Sequence, residues 1–95
     1  MINTANQNTL LSRITDSEWD ELSARLSLSK REKEVLWGIM SDLTEMAIGR
    51  QLGISQHTVH TYTERLYRKL KVQSRVQLIV DVFGVYCGLI TEEPS

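Results

Sequence analysis

From residue 15 onward the apolar positions of this chain recur at helical spacing, and no stretch alternates with the period of two that a half-buried strand requires. Five helices are predicted, each behind a capping signal. Thr15 and Glu18 form a capping box with Ile14 and Trp19 as its staple, and Trp19, Leu22 and Leu26 follow on one narrow stripe. Ser29 and Glu32 form a second box, opening a helix with Val35, Leu36 and Ile39 turned inward and ending near Ser41. Thr44 caps a third helix that runs to about Leu52, with Leu43 and Ile48 as its staple. Ser55 caps the fourth, with Ile54 and Val59 as the pair, and Ser74 with Gln77 opens the fifth. The fold class is all-α.

The third and fourth helices are joined only across Gly53 and Ile54, a link short enough to force a sharp reversal, and glycine tolerates the left-handed backbone such a turn needs. Gly49, four positions earlier, is expected where the two helices cross closely. Ile48, Leu52, Ile54, Val59 and Tyr62 fall where a helix-turn-helix unit makes its own small core. With Val59 as reference, Leu66, Leu70, Thr63 and Tyr62 share the inward face of the fourth helix. The opposite side collects His57, His60, Thr61, Glu64, Arg65 and Arg68. His60 and Glu64 have the spacing of a metal-ligand pair, but no further ligand stands nearby and the surrounding bases repel a cation. What unites these residues is hydrogen-bonding capacity on a rigid helix narrow enough for the DNA major groove.

Charge supports that reading only when counted by region. The chain carries 11 basic and 12 acidic residues, for a net charge of −1. Between residues 50 and 75, however, Arg50, Arg65, Arg68, Lys69, Lys71 and Arg75 face the single acid Glu64, so a nearly neutral chain holds one concentrated basic segment suited to an anionic partner. Its 41% hydrophobic and 24% charged residues are ordinary for a water-soluble globular protein. Cys87 is the lone cysteine, so there is no internal disulfide and no zinc cluster; it reads as an apolar packing residue in a reducing, cytoplasmic setting. The longest apolar run, residues 78 to 90, contains Asp81 and is too short to span a membrane, and no secretory signal opens the chain. Neither a cofactor nor catalysis is expected: no nucleophile has a base at usable spacing, no glycine loop cradles phosphate, and so small a helical chain leaves little room for a pocket.

Residues 28 to 83 resemble the LuxR/GerE-type helix-turn-helix domain, a tetrahelical DNA-binding domain of bacterial transcription regulators. The marks are Leu28, Arg31-Glu32, Val35-Leu36, Ile48, Leu52, Ile54-Ser55, Thr58-Val59, Lys69-Leu70, Val72 and Arg75-Val76. The resemblance implies a tetrahelical bundle over residues 28–88; the polar segment at 1–14 is expected to be flexible, residues 15–27 to form an extra helix, and residues 89–95 to be a tail. It also implies a recognition helix from Ser55 to Leu70 in the major groove of double-stranded DNA, and a homodimer made by the helix from Ser74 to about Cys87. His60, Thr61 and Glu64 match the positions from which the family reaches base edges: Glu64 to cytosine N4, Thr61 to a thymine methyl, His60 to guanine. Phosphate contacts are assigned to Ser55, His57, Thr58, Arg65, Arg68, Lys69 and Lys71. Departures from the family pattern are Ala47 in place of an acid, His57 and His60 in place of lysine, Tyr62 in place of histidine, and the acid Glu64 on the groove side.

The last helix is apolar on two sides and so needs two partners. Val76, Ile79, Val80, Phe83 and Cys87 are assigned to the domain core; Leu78, Val82, Val85 and Leu89 are assigned to the dimer. The competing arrangement packs Leu78 and Val82 under the Trp19 helix, which is itself either a lid on the domain or a docking surface. A second functional reading is a protein-interaction module of the transcription machinery, sigma-region-like or an inhibitor of a regulator, with RNA polymerase or another regulator as partner. Glu64 favours that reading and the basic segment opposes it.

Overall fold

The computed structural model describes residues 13–91, and most of the segment expected to be flexible therefore lies outside the described residues. Among those described there are five helices and no strand: α1 (Asp16–Arg25), α2 (Lys30–Met40), α3 (Glu45–Leu52), α4 (Gln56–Leu70) and α5 (Arg75–Thr91). The all-α expectation holds. The last helix continues to Thr91, so Leu89, expected to begin a tail, is a helical residue packed on the core.

Among the described residues, one local pattern makes every link between helices. Ser27, Asp42, Gly53 and Lys71 each adopt a left-handed backbone, with φ between 57° and 71°. The amide of the next residue then reaches back across the helix end: Leu28 to the Ser23 carbonyl, Leu43 to Gly38, Ile54 to Gly49 and Val72 to Tyr67, all at 3.0 Å. This is the Schellman closure, which satisfies carbonyls a helix end leaves open. The apolar residue that makes each bond also packs against the core. In the first three links the following residue is the next cap, so Leu28, Leu43 and Ile54 close one helix and lead into the next within a single residue.

The caps match the sequence closely. Thr15 with Glu18, and Ser29 with Glu32, make both arms of a capping box. Thr44 makes only the forward arm, to the Ala47 amide at 3.1 Å, because alanine has no side chain to return it. At α5 Ser74 accepts from the Gln77 amide at 3.1 Å, while Gln77 reaches back to the Gln73 amide, one residue earlier than a regular box.

Inside this frame α2 lies centrally, packed against α3, α4 and α5, while α1 packs on α5. The core consists of Leu22, Val35, Leu36, Ile39, Ile48, Val59, Leu66, Leu78, Val82 and Tyr86. Gly49 is required for a slightly different reason than a helix crossing: a Cβ there would stand 2.7 Å from the carbonyl oxygen of Ile54, so the turn itself folds back onto it. Gly38 supplies the close helix approach, since its Cβ would lie 2.6 Å from Ile48 Cγ1 across the α2–α3 contact.

Two findings correct the reading of the outer helices. Leu78 and Val82, assigned to a dimer, are 0% and 1% exposed, and Val85 and Leu89 pack beside them on the domain's own core. Of the face assigned to the core, Ile79 does pack there and Cys87 is half-buried, but Val76 is 70% and Val80 64% exposed and Phe83 is open to solvent, as is Ile90 beyond them. Both faces carry apolar residues at helical spacing, so periodicity alone did not rank them; Tyr86, buried beside Val82 with its hydroxyl 3.4 Å from Glu18, belongs to the inner one. The lid alternative for α1 is the one observed. Leu22 is buried, Trp19 meets Trp37 edge-on at 4.9 Å between ring centroids, and Lys33 pairs with Asp20.

Candidate nucleic-acid interface

α4 is anchored so that one side is fixed and the other is free. Val59, Thr63 and Leu66 are buried, and the Thr63 hydroxyl returns to the Val59 carbonyl at 3.0 Å, which leaves no polar demand on the inner face. At its start the Ser55 hydroxyl accepts from the Thr58 amide at 3.0 Å and meets the Thr58 hydroxyl at 2.9 Å. Fifteen residues make a rod roughly 22 Å long, thin enough to enter a major groove about 12 Å wide. Its free side presents His57, His60, Thr61, Glu64, Arg65 and Arg68, all exposed, as the projection from the sequence expected.

The basic segment is smaller than the sequence suggests. Lys69, assigned to phosphate, places its ammonium 2.7 Å from both the Ser27 carbonyl and the Glu32 carboxylate, and Glu32 is only 3% exposed. An ion pair formed over a buried carboxylate holds its cation in place, so Lys69 ties α4 to the α1–α2 link and leaves the phosphate set. Burial raises the pKa of Glu32, but hydrogen bonds from Lys69 and the Ser29 amide, with the charge of Lys69, outweigh it, and the carboxyl titrates below its ordinary range. Arg75 is likewise committed, donating to the carbonyls of Ile39 and Leu43 at the end of α2. Arg50, Arg65, Arg68 and Lys71 remain at the surface, with Arg65 lying over the Tyr62 ring at 5.1 Å from its centroid.

Two of the three expected base readers, His60 and Glu64, are joined to each other, and His60 is also joined to a fourth residue. His60 Nδ1 stands 3.0 Å from Glu45 on α3, and Nε2 stands 3.5 Å from Glu64 one turn along α4. The Thr61 hydroxyl donates to the His57 carbonyl at 3.2 Å. Glu45 escaped the sequence reading because it lies fifteen residues from His60, and nothing local connects them. The two ring nitrogens address different carboxylates, and among the described residues no three His, Cys, Asp or Glu side chains converge to hold a metal ion.

A capped helix with a buried apolar side and an exposed cationic, hydrogen-bonding side, held behind a tight turn to the helix before it, defines a helix-turn-helix DNA-binding domain. The chain belongs to the luxR family of bacterial regulatory proteins, whose family model matches residues 26–82. It is 37% identical over 54 residues to a probable transcriptional regulator, ycf29, of Guillardia theta, and 43% identical over 51 residues to a putative HTH-type transcriptional regulator, YhjB, of Escherichia coli strain K12. These alignments cover 57% and 54% of this chain but only 26% of each relative, so the match spans about a quarter of their length. The spore germination protein GerE of Bacillus subtilis strain 168 is 34% identical over 62 residues, covering 65% of this chain and 84% of that one. No solved structure gives a significant match. α1 begins before the matched region, so the Trp19 helix is an addition to the family core.

Proposed function

We propose that this protein regulates transcription by binding double-stranded DNA with α4 in the major groove, as a symmetric dimer joined through the outer face of α5. The observation that carries the first part is the two-sided character of α4: a buried apolar side and a solvent side made only of polar and charged groups. Arg65, Arg68 and Lys71, with the hydroxyls of Ser55 and Thr58 and the ring of His57, are the phosphate-facing set; His60, Thr61 and Glu64 face the bases. The observation behind the second part is the open stripe of Val76, Val80, Phe83 and Ile90, four apolar residues that recur at helical spacing along one side of α5. Monomeric proteins rarely leave such a stripe uncovered.

Affinity measured as a function of salt tests both together. Three surface cations per chain in a dimer give a slope of log K against log salt of about −5, and a monomer about −3. A slope near zero, or binding indifferent to the loss of Arg65 and Arg68, contradicts the proposal.

A further inference from the structure

The residues facing the bases offer acceptors and no free donor, because every polar hydrogen in the middle of that face is already directed to a protein atom. Both nitrogens of His60 face carboxylates, Nδ1 toward Glu45 at 3.0 Å and Nε2 toward Glu64 at 3.5 Å. An imidazole donates only through its ring nitrogens, so a ring held this way has nothing to give to N7 or O6 of guanine. The Thr61 hydroxyl hydrogen is directed to the His57 carbonyl at 3.2 Å, which leaves its methyl and lone pairs outward. Glu64 is half exposed and engages His60 through Oε2. Its other carboxylate oxygen remains to accept from DNA.

We infer that Glu45, on the helix before the turn, is a specificity-determining positioning residue: by holding His60 between two carboxylates it makes Glu64 an acceptor that selects a base with an exocyclic amino group, cytosine N4 or adenine N6, and withholds the histidine from guanine. This inference rests on the proposed groove-facing role of α4. The major groove distinguishes the two kinds of base edge, since the amino groups of cytosine and adenine donate while guanine presents only acceptors there. A carboxylate brought to guanine O6 and N7 meets lone pairs. One brought to an amino group gains a charge-assisted bond. Glu45 adds to this at a distance, because it belongs to α3 and reaches the reading face only through the ring of His60.

The test uses the full chain and a DNA site selected from a random pool, with affinity measured for every single-base variant at one salt concentration. The wild type is expected to favour cytosine or adenine over guanine at one position of each half-site, on the order of tenfold. Glu45→Ala releases the ring and is expected to bring guanine at that position to within about threefold of the preferred base, with the salt slope unchanged; Glu45→Gln, which keeps one acceptor for Nδ1, restores part of the preference. In a His60→Ala background, Glu45→Ala is expected to change nothing further, because the residue acts through the ring. Thermal unfolding of each variant separates these effects from a folding defect. If Glu45→Ala unfolds like the wild type and keeps the full preference, or acts equally in the His60→Ala background, the inference is overturned. If the wild type shows no base preference at any position, it is instead the reading of DNA by α4 that fails.

Discussion

Arg68 and Lys69 are neighbours of equal charge that do opposite work, because a helix turns 100° between them. Arg68 faces solvent, whereas Lys69 folds toward Glu32. Arg68→Ala is expected to weaken binding to all DNA sequences alike and to reduce the magnitude of the salt slope by about one, or two for a dimer, without changing the thermal midpoint. Lys69→Met leaves the buried carboxylate unpaired and is expected to cost about 1–3 kcal/mol of stability, less than for an enclosed pair because the lysine side chain stays one-third exposed, while the salt slope hardly moves. Calorimetry and salt titration of the two variants side by side check both. Because Glu32 titrates below its unfolded value, its contribution is fully present above the ordinary carboxylate range and is lost as pH falls through its own lower value. Acid unfolding monitored by circular dichroism should therefore lose that component in Lys69→Met. Glu64 follows a third logic: Glu64→Ala removes an anion from the groove side, so affinity for non-specific DNA should rise while discrimination at one base pair drops by about 1–3 kcal/mol. Full retention of base preference would show that Glu64 does not read bases.

At the scale of the element, the chain states its helices through their ends. Thr15, Ser29, Thr44, Ser55 and Ser74 were legible as caps, since a side-chain oxygen three residues before an orphan amide is a local relation that sequence spacing expresses directly. The left-handed residues were legible only where glycine stands. Ser27, Asp42 and Lys71 adopt the same backbone as Gly53 with side chains that do not announce it. Asp42 is doubly misplaced, holding a left-handed backbone and a negative charge at the C-terminal end of α2. Asp42→Gly should accordingly stabilise the fold by about 1 kcal/mol, a rise of roughly 4–8 °C in thermal midpoint for a domain this size. Gly49→Ala should do the reverse, by about 1–3 kcal/mol, because the added methyl meets the Ile54 carbonyl and a backbone oxygen in a tight turn has nowhere to move. Polar links between distant elements were not legible. Glu32 with Lys69, Arg75 with the end of α2, and Glu45 with His60 join groups that lie 15 to 37 residues apart, and helical periodicity carries no information about which helix end meets which.

For the whole molecule, α5 decides what the domain can become. Its inner side, Leu78, Val82 and Tyr86, closes the core under α1, and its outer side, Val76, Val80 and Phe83, is exposed and is the face proposed to meet a second copy. Leu78→Ala should cost about 2–5 kcal/mol of folding stability. Val80→Lys should leave the fold intact and abolish the dimer, as sedimentation equilibrium would show by a molecular mass equal to that of one chain. A dimer that survives Val80→Lys and Phe83→Lys together would place the interface elsewhere. Two domains joined by this face would set two α4 helices against successive major grooves about one turn, roughly 34 Å, apart. Whether the exposed side of α4 reads double-stranded DNA from a symmetric pair of domains can be decided by selecting bound duplexes from a random pool at a fixed salt concentration. An inverted repeat with half-site centres about 10 base pairs apart should be enriched, and preference at one position of each half-site should be lost when Glu64→Ala is selected in parallel. Absence of any enriched sequence, or enrichment of an identical site by the wild type and Glu64→Ala, would contradict the proposal.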